Sequence, residues 1–246
     1  MNFSVIMAFA RYGALGILRT PAQWVPMICF PAIFFSFFGS SFSAHSVEIA
    51  NMIVASYVAY AIIGVGILQF GVGIANERGT PWERYLRTLP VSASERLLSR
   101  VLISAIFAFA AAGAVVLVGA FITPMHYTLS QAVMLMVVAG LGGLPFLACG
   151  VALAYWVSPK AIMPIAFLLY FFGAFAGGLW IPPQFLPKFI AGISPYLPSR
   201  QFGEALWAAA RGGSVVTPLL WLAVFCVAML ILATVGYSRD QRTRFV

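Results

Sequence analysis

The chain has 246 residues, of which 62% are hydrophobic and 8% are charged, and its mean hydropathy is +0.98. Soluble domains carry about 25% charged residues. The 14 basic and 6 acidic side chains are too few to cover a water-exposed surface of this size. The composition therefore excludes a water-soluble globule and predicts a protein that resides in a bilayer.

Length, charge and cysteine usage further limit the kind of membrane protein that the chain can be. A spanning helix needs about 20 apolar residues, so the chain predicts about five to seven spans in one membrane domain, residues 1–246. The net charge of +8 fits either nucleic-acid binding or basic residues held in cytoplasmic loops. Cys29, Cys149 and Cys226 lie in apolar runs without metal-ligand or disulfide spacing, so we interpret them as packing residues.

The N-terminal stretch, residues 1–20, predicts an amphipathic interfacial helix. Ser4, Arg11 and Arg19 fall on one side of a helical wheel, and the stretch is too short and too basic to span. Because arginines interrupt it, we expect the N-terminus to be retained rather than cleaved as a signal peptide. We expect the arginines to face lipid phosphates while an apolar set enters the bilayer: Phe3, Ile6, Phe9 and Leu18.

Six apolar segments predict six transmembrane helices. They lie at residues 24–42, 51–75, 98–122, 129–157, 161–179 and 219–237. Spans one and two belong to the region 21–75, spans three to five to 97–180, and span six to 217–237, which a tail of residues 238–246 follows. An even number of spans places both termini on the same side of the membrane.

The distribution of basic residues sets the orientation. With the N-terminus inside, eleven of the 14 basic residues fall in cytoplasmic segments, and the outer segments carry Lys188, Arg200 and Arg211. This asymmetry obeys the positive-inside rule. The basic charge is therefore explained by topology, and we expect a lipid bilayer and no nucleic acid as partner.

The most polar segment, residues 76–96, has the sequence NERGTPWERYLRTLPVSASER. Thr80 and Glu83 form a capping-box pattern with Pro81 at the first helical position, which predicts a short helix that ends near Pro90. Ser92 and Glu95 repeat the pattern and begin the third span. The basic residues of the segment would by themselves favour a lipid anchor: Arg84, Arg87, Arg96 and Arg100. A doubly capped helix with an exposed Trp82 favours a protein-docking surface instead.

Residues 181–216, on the outer side, are apolar but rich in proline, so one continuous helix is excluded. Two short helices are predicted instead, over 183–191 and 198–211, ending at Gly192 and Gly212. Each is long enough to enter the outer leaflet and return. The segment is either an outer cap on the bundle or a gate at the exit of a pathway.

The order of these parts resembles the permease subunits of ABC-2 type transporters, a class that includes drug exporters of the daunorubicin-resistance type and exporters of lipids or polysaccharides. The most specific stretches are ERGTPWERYLRTLPVS after the second span and GGLWIPPQFLPKFIAGISPYLP after the fifth. The resemblance implies an all-α membrane fold with an interfacial connecting helix, six spans, a cytoplasmic coupling helix and re-entrant outer helices between spans five and six.

The resemblance also implies site residues. The connecting helix contributes Arg11 and Arg19, and a GxxxG pair, Gly173 and Gly177, lies in the fifth span at the dimer seam of the family. Pro81 departs from the aliphatic residue that the family has after ERGT, and TLP replaces TP. The predicted ATPase-docking residues are Glu77, Arg78, Thr80, Trp82, Glu83, Arg84, Leu86 and Arg87, and the predicted gate residues are Pro183, Phe185, Pro187, Pro195 and Pro198.

The sequence contains no GxxxxGK[ST] phosphate loop, so ATP and Mg²⁺ would be bound by a separate ATPase subunit and this chain would hold no cofactor or metal. The resemblance predicts a homodimer, or a heterodimer with a related permease, that exports a drug, lipid or lipid-linked glycan across a bacterial inner (plasma) membrane with both termini cytoplasmic. The mid-span regions lack charged residues and are rich in phenylalanine, which favours a hydrophobic or amphipathic cargo.

Three other classes of membrane protein would have different sequence features. A secondary transporter without an ATPase would show inverted repeats or a buried charged pair, and neither is evident. A non-transporting scaffold is disfavoured weakly by the re-entrant segment. A membrane enzyme would have to use acid–base candidates that lie on different outer segments without motif spacing: His45, Glu48, His126 and Glu204.

Overall fold

The computed structural model describes residues 2–43, 46–78, 80–81, 85 and 91–244, with the backbone but not the side chains of 93 and 241–244. Its main elements are helices. They are α1 Phe3–Leu18, α2 Pro21–Phe34, α3 Val47–Gly64, α4 Ala93–Ile122, α5 Leu129–Trp156, α6 Ile162–Ala176, α7 Lys188–Ile193, α8 Pro198–Arg211 and α9 Val216–Arg244. Two helices continue through π-helical turns, α2 through Phe35–Gly39 to Ser43 and α3 through Val65–Gly71 to Glu77.

Five stretches are long and apolar enough to cross a membrane: Pro21–Ser43, Val47–Glu77, Ser94–Ile122, Leu129–Trp156 and Val216–Asp240. They match predicted spans one, two, three, four and six. The fifth predicted span, 161–179, is a shorter apolar helix, since α6 has 15 residues and is therefore only about 22 Å long. It ends at Gly177, and Gly178 takes a φ of +74° that turns the chain away.

Helix α3 lies at the centre of the bundle, with most of its residues buried. It contacts α2, α4, α5, α6 and α8, while α1 packs on α4 and α9 packs on α5 and α8. At one end of the bundle α3, α5 and α9 finish and α4 and α6 begin. We call this the basic end, because it carries Arg78, Arg96, Arg100, Lys160 and Arg239.

Local capping sets where the long helices start. The predicted capping box at α4 is confirmed: Ser92 Oγ accepts from Glu95 N at 3.2 Å, and Ser92 N donates to Glu95 Oε2 at 3.0 Å. Thr128 and Gln131 form a second box at the start of α5. Each box satisfies backbone N–H groups that the first helical turn leaves without partners.

Helices α3 and α5 approach most closely at glycines. A Cβ on Gly150 of α5 would touch the carbonyl oxygen of Gly66 and lie 3.2 Å from the Cα of Gly71, both in the π-helical turn of α3. Small residues permit such backbone contact between membrane helices. The contact fixes α5 against the irregular part of the central helix.

Candidate functional site

Arg78, at the start of the predicted coupling segment, joins the end of α3 to two other helices. Its guanidinium donates to the carbonyl oxygens of Tyr155 at 3.3 Å and Val157 at 3.0 Å, at the end of α5. It also pairs with Asp240 of α9 at 3.5 Å. The last carbonyls of a helix lack intrahelical partners and carry partial negative charge, so a cation is favourable there.

A second ion pair lies beside the first. Arg100 of α4 contacts Glu77 of α3 at 2.7 Å, and Glu77 is 53% exposed. Arg78 and Asp240 are only 10% and 11% exposed, so water screens their attraction less. Together the two pairs bind the end of α3 to α4, α5 and α9, the helices that surround it at the basic end.

Most of the predicted coupling helix, including Trp82, Glu83, Arg84, Leu86 and Arg87, lies outside the described residues. The described part supports a turn immediately after α3, where Thr80 Oγ1 donates to the carbonyl of Glu77 at 2.8 Å. Pro81 and Tyr85 are helical, and Tyr85 is exposed. The docking role of this segment stays a prediction.

Helix α1 is fastened to the beginning of α4. Asn2 N donates to Glu95 Oε1 at 2.6 Å, so one carboxylate joins the starts of both helices. Ile6 was expected to enter the lipid, but it is buried, and Ile103 of α4 lies close to Gly13 of α1. One side of the proposed connecting helix α1 therefore packs against α4.

The two arginines of α1 lie on its exposed surface. Arg11 and Arg19 are both exposed, as the amphipathic pattern predicts. Phe3 and Leu18 are exposed as well. The contact of these side chains with lipid stays a prediction.

Helix α8 lies in the segment 181–216, which is predicted to be on the outer side. It spans Pro198–Arg211, as predicted, and ends at Gly212 with a left-handed φ of +72°. At its start, Ser199 Oγ donates to the carbonyl of Gly173 in α6 at 2.6 Å. Helix α8 therefore begins beside the last turn of α6.

The contacts of α8 show that it lies inside the bundle rather than on top of it. Phe202 is fully buried and its ring lies against Gly142, about 20 Å along α5 from its start. At the other end of α8, the carbonyl of Ala210 accepts from Gln131 at 2.7 Å, about 3 Å along α5. Helix α8 thus runs antiparallel to α5, from the middle of the bundle to the end opposite the basic end.

A buried polar contact holds α8 against α3. Trp207 Nε1 donates to Ser56 Oγ at 2.7 Å, and both residues are buried. Arg200 lies over the Trp207 ring at 5.0 Å and pairs with Glu204 at 2.6 Å. Arg200 and Glu204 are therefore occupied by contacts within α8.

We expect Trp207→Phe to destabilise the bundle by about 1 kcal/mol, because it removes one buried hydrogen bond and leaves the Ser56 hydroxyl with one partner fewer. The midpoint of thermal unfolding in detergent measures this change. Trp221→Phe is the control, since Trp221 is exposed on α9. An equal fall in both variants would contradict a specific role for the Trp207 bond.

The predicted first outer helix, 183–191, is wrong in its bounds. The chain forms a 3-10 turn over Pro183–Phe185 and then α7 over Lys188–Ile193. Leu186 is extended with ψ of 143°, because the following Pro187 disfavours a helical residue before it. Among the predicted gate residues, Phe185, Pro187 and Pro195 are exposed, and Pro183 and Pro198 are half-buried. Their gating role stays a prediction.

The GxxxG pair of α6 has a neighbour within the same chain. A Cβ on Gly177 would lie 2.6 Å from Ser199 Oγ and 3.0 Å from the backbone nitrogen of Arg200. Gly173 supplies the carbonyl that Ser199 binds. The close approach that this motif permits is therefore used by α8, and a role of the two glycines in a dimer seam stays a prediction.

Sequence reasoning missed a cluster of aromatic side chains between α2, α3 and α6. Tyr60 and Tyr170 stack with centroids 4.5 Å apart, and Trp180 packs edge-on against Tyr60 at 5.5 Å and Phe34 at 5.0 Å. Among the described residues, Tyr57 Oη and Trp180 Nε1 are buried without a hydrogen-bond partner. The sequence feature that could have indicated this cluster is the spacing of Tyr57 and Tyr60, which lie one helical turn apart on the same face of α3.

The opposite end of α3 is held by the loop between α4 and α5. Asn51 exchanges two hydrogen bonds with the backbone of His126, at 2.8 and 2.9 Å. Tyr127 Oη donates to the carbonyl of Asn51 at 2.6 Å, and burial raises the pKa of the Tyr127 hydroxyl. The hydroxyl therefore stays protonated, and it is the backbone of His126 that holds the loop to Asn51.

Comparison with known proteins identifies the family. The model of the family described as ABC-2 family transporter protein matches residues 44–235, more than half of the chain. The chain belongs to the ABC-2 transporter family. This permease is also similar to a Bacillus subtilis (strain 168) protein named "Putative transport permease YvfS", with 24% identity over 186 residues that cover 76% of each chain.

Family membership gives this ABC-2 permease its general role. It is a multi-pass membrane subunit of a transporter and is not itself an enzyme. ABC-2 permeases generally pair with ATPase subunits. Within the described part of the chain, no three His, Cys, Asp or Glu side chains form a group that could hold a metal ion.

Proposed function

We propose that this permease is the membrane half of an ATP-driven exporter, and that a separate ATPase subunit docks on the segment that follows Arg78. The observation that carries the proposal is the attachment of Arg78 to α5 and α9. A force on the segment would act on α3, α5 and α9 together rather than on a loose loop. Such a connection suits a rigid-body change of access between the two sides of the membrane.

The proposed cargo is hydrophobic or amphipathic, such as a drug, a lipid or a lipid-linked glycan. No Asp, Glu, Lys or Arg occurs in residues 49–76, 101–159, 161–187 or 212–238. Carriers of ions or protons usually need charged residues at mid-membrane. The aromatic cluster, with the buried polar atoms of Tyr57 and Trp180, could accommodate a mainly apolar cargo that carries a few polar groups.

The proposed second copy, or a related permease, packs on α2 and α6. These helices are adjacent, since the rings of Phe30 and Phe171 lie 6.3 Å apart. Both expose large apolar side chains, Ile33 and Phe37 on α2 and Leu168 and Phe172 on α6. The surface is continuous and leaves the intramolecular contact of α6 with α8 intact.

The proposed location is a bacterial inner membrane with the basic end in the cytoplasm. Helix α8 continues in the same direction as α6, so the two helices would together make the fifth crossing and α9 would make the sixth. Both termini would then lie on one side. The positive-inside rule supports this orientation. The re-entrant segment would then lie at the outer surface, where its proposed role is to gate the exit.

Affinity purification of the full chain from its native membrane tests the docking proposal. We expect an ATPase subunit to accompany the permease, and we expect Trp82→Ala combined with Arg84→Ala to reduce its recovery at least tenfold. Loss of an anchoring aromatic side chain and a charged one commonly costs a protein interface several kcal/mol. Recovery is measured as the molar ratio of the two subunits.

Lys160→Ala is the matched control, because it removes one exposed cation at the same end of the bundle. It should leave the ratio unchanged. If no ATPase accompanies the native chain, or if the double variant retains it, the proposal fails. If the chain were a secondary transporter, it would move cargo in the absence of the ATPase. If it were a scaffold, it would move no cargo even when the ATPase is present.

A further inference from the structure

A cavity of about 230 Å³ opens at the basic end of the bundle. It lies between the end of α3, the start of α4 and the ends of α5 and α9. Three cations line it, Arg78, Arg96 and Arg100, and hydroxyl groups come from residues such as Tyr155 and Thr234. Its position at the ends of four helices is unrelated to the aromatic cluster and to the predicted dimer surface.

The lining has the composition of a site for an amphipathic anion. No carboxylate belongs to the described lining, while Glu77 and Asp240 contact Arg100 and Arg78 from outside it. Arginine guanidinium groups suit phosphate oxygens because their donors match the geometry of the anion. The remaining wall is largely apolar and includes Leu230.

The surroundings of the cavity distinguish a lipid from a soluble phosphate. Leu230 is exposed on α9 as well as lining the cavity, and Val227 and Ile231 are exposed beside it. This apolar strip leads away from the arginines along the helix toward the middle of the bilayer. The cavity is smaller than the roughly 300 Å³ at which pockets begin to enclose drug-sized ligands, so it suits a headgroup better than a complete cargo.

We propose that this cavity binds the phosphodiester group of an anionic phospholipid from the adjacent leaflet, with an acyl chain lying along α9. The leaflet is the cytoplasmic one under the proposed topology, but the site itself depends on the arginines and the apolar strip. Bound lipid would bridge α4 and α9 next to the Arg78 contacts. It would thereby stabilise the end of the bundle where the ATPase is proposed to act.

The test uses the full chain purified in detergent, with dioleoyl phosphatidylglycerol and dioleoyl phosphatidylcholine as probes. We expect native mass spectrometry to show tighter binding of phosphatidylglycerol, which should also raise the unfolding temperature. Arg96→Gln should weaken phosphatidylglycerol binding about fivefold, since one basic residue contributes about that factor near anionic lipid. Lys160→Ala, an exposed cation outside the cavity, should not weaken it.

Thr234→Phe is a second variant that keeps every charge, because Thr234 lies at the exposed side of the cavity and a larger side chain would fill it. It should reduce phosphatidylglycerol binding even if Arg96→Gln fails to fold. Equal binding of the two lipids, or equal losses in Arg96→Gln and Lys160→Ala, would overturn the proposal. Full displacement of the lipid by millimolar inorganic phosphate would identify a soluble anion site instead.

Discussion

Gly150→Ala is expected to destabilise the bundle by about 3 kcal/mol or more, because its Cβ would meet backbone atoms of α3. The carbonyl of Gly66 and the Cα of Gly71 cannot move aside as the end of a flexible side chain can. Helix α5 would have to shift away from the π-helical turn of α3. The unfolding midpoint of the purified chain and the yield of folded protein measure the loss.

Gly113→Ala provides the matched control for this prediction. Gly113 also lies in the middle of a long apolar helix, but a Cβ there has no atom outside its own helix within 4 Å among the described residues. Alanine is the better helix former by about 1 kcal/mol, so this variant should be neutral or slightly more stable. A Gly150→Ala variant as stable as Gly113→Ala would refute the close α3–α5 contact.

Arg78→Gln is expected to cost about 3 kcal/mol of stability, since it leaves Asp240 and two helix-end carbonyls without their cation. The same variant should lower recovery of the ATPase subunit, because the root of the docking segment would lose its attachment to α5 and α9. Chemical unfolding and the subunit ratio after affinity purification measure these two effects.

Two further variants distinguish the loss of the buried Arg78–Asp240 pair from the loss of a basic charge in general. Arg100→Gln should cost at most about 1 kcal/mol, because its partner Glu77 is largely exposed. Adding Asp240→Asn to Arg78→Gln should recover part of the lost stability, because it removes the charge of the carboxylate that has lost Arg78. Equal costs for Arg78→Gln and Arg100→Gln would show that the buried network has no special role.

Several elements of the fold could be predicted because their signals are local. The capping pattern of Ser92 and Glu95 marks the start of α4, and Pro198 with Gly212 marks the bounds of α8. Such signals act on groups within one helical turn. Hydropathy similarly located the five long apolar helices, since each needs a run of about 20 apolar residues.

The candidate site was less accessible to sequence reasoning. Arg78 was identified as a docking residue, but its partners lie 77 and 79 residues later along the chain at Tyr155 and Val157. Proline and glycine indicated a broken outer segment, yet not that Phe202 would reach Gly142 in the middle of the bundle. Hydrophobicity also could not distinguish the short α6 from a complete span.

The sequence by itself determined that this chain resides in a bilayer, where most of its helices begin and end, and which end of the bundle is basic. Tertiary structure decided that α8 enters the bundle, that Gly150 touches the backbone of α3, and that Arg78 joins three helices. The physical reason is that lipid and neighbouring helices are both apolar. A side chain's hydrophobicity therefore does not reveal which of the two it meets, and only shape and long-range packing separate them.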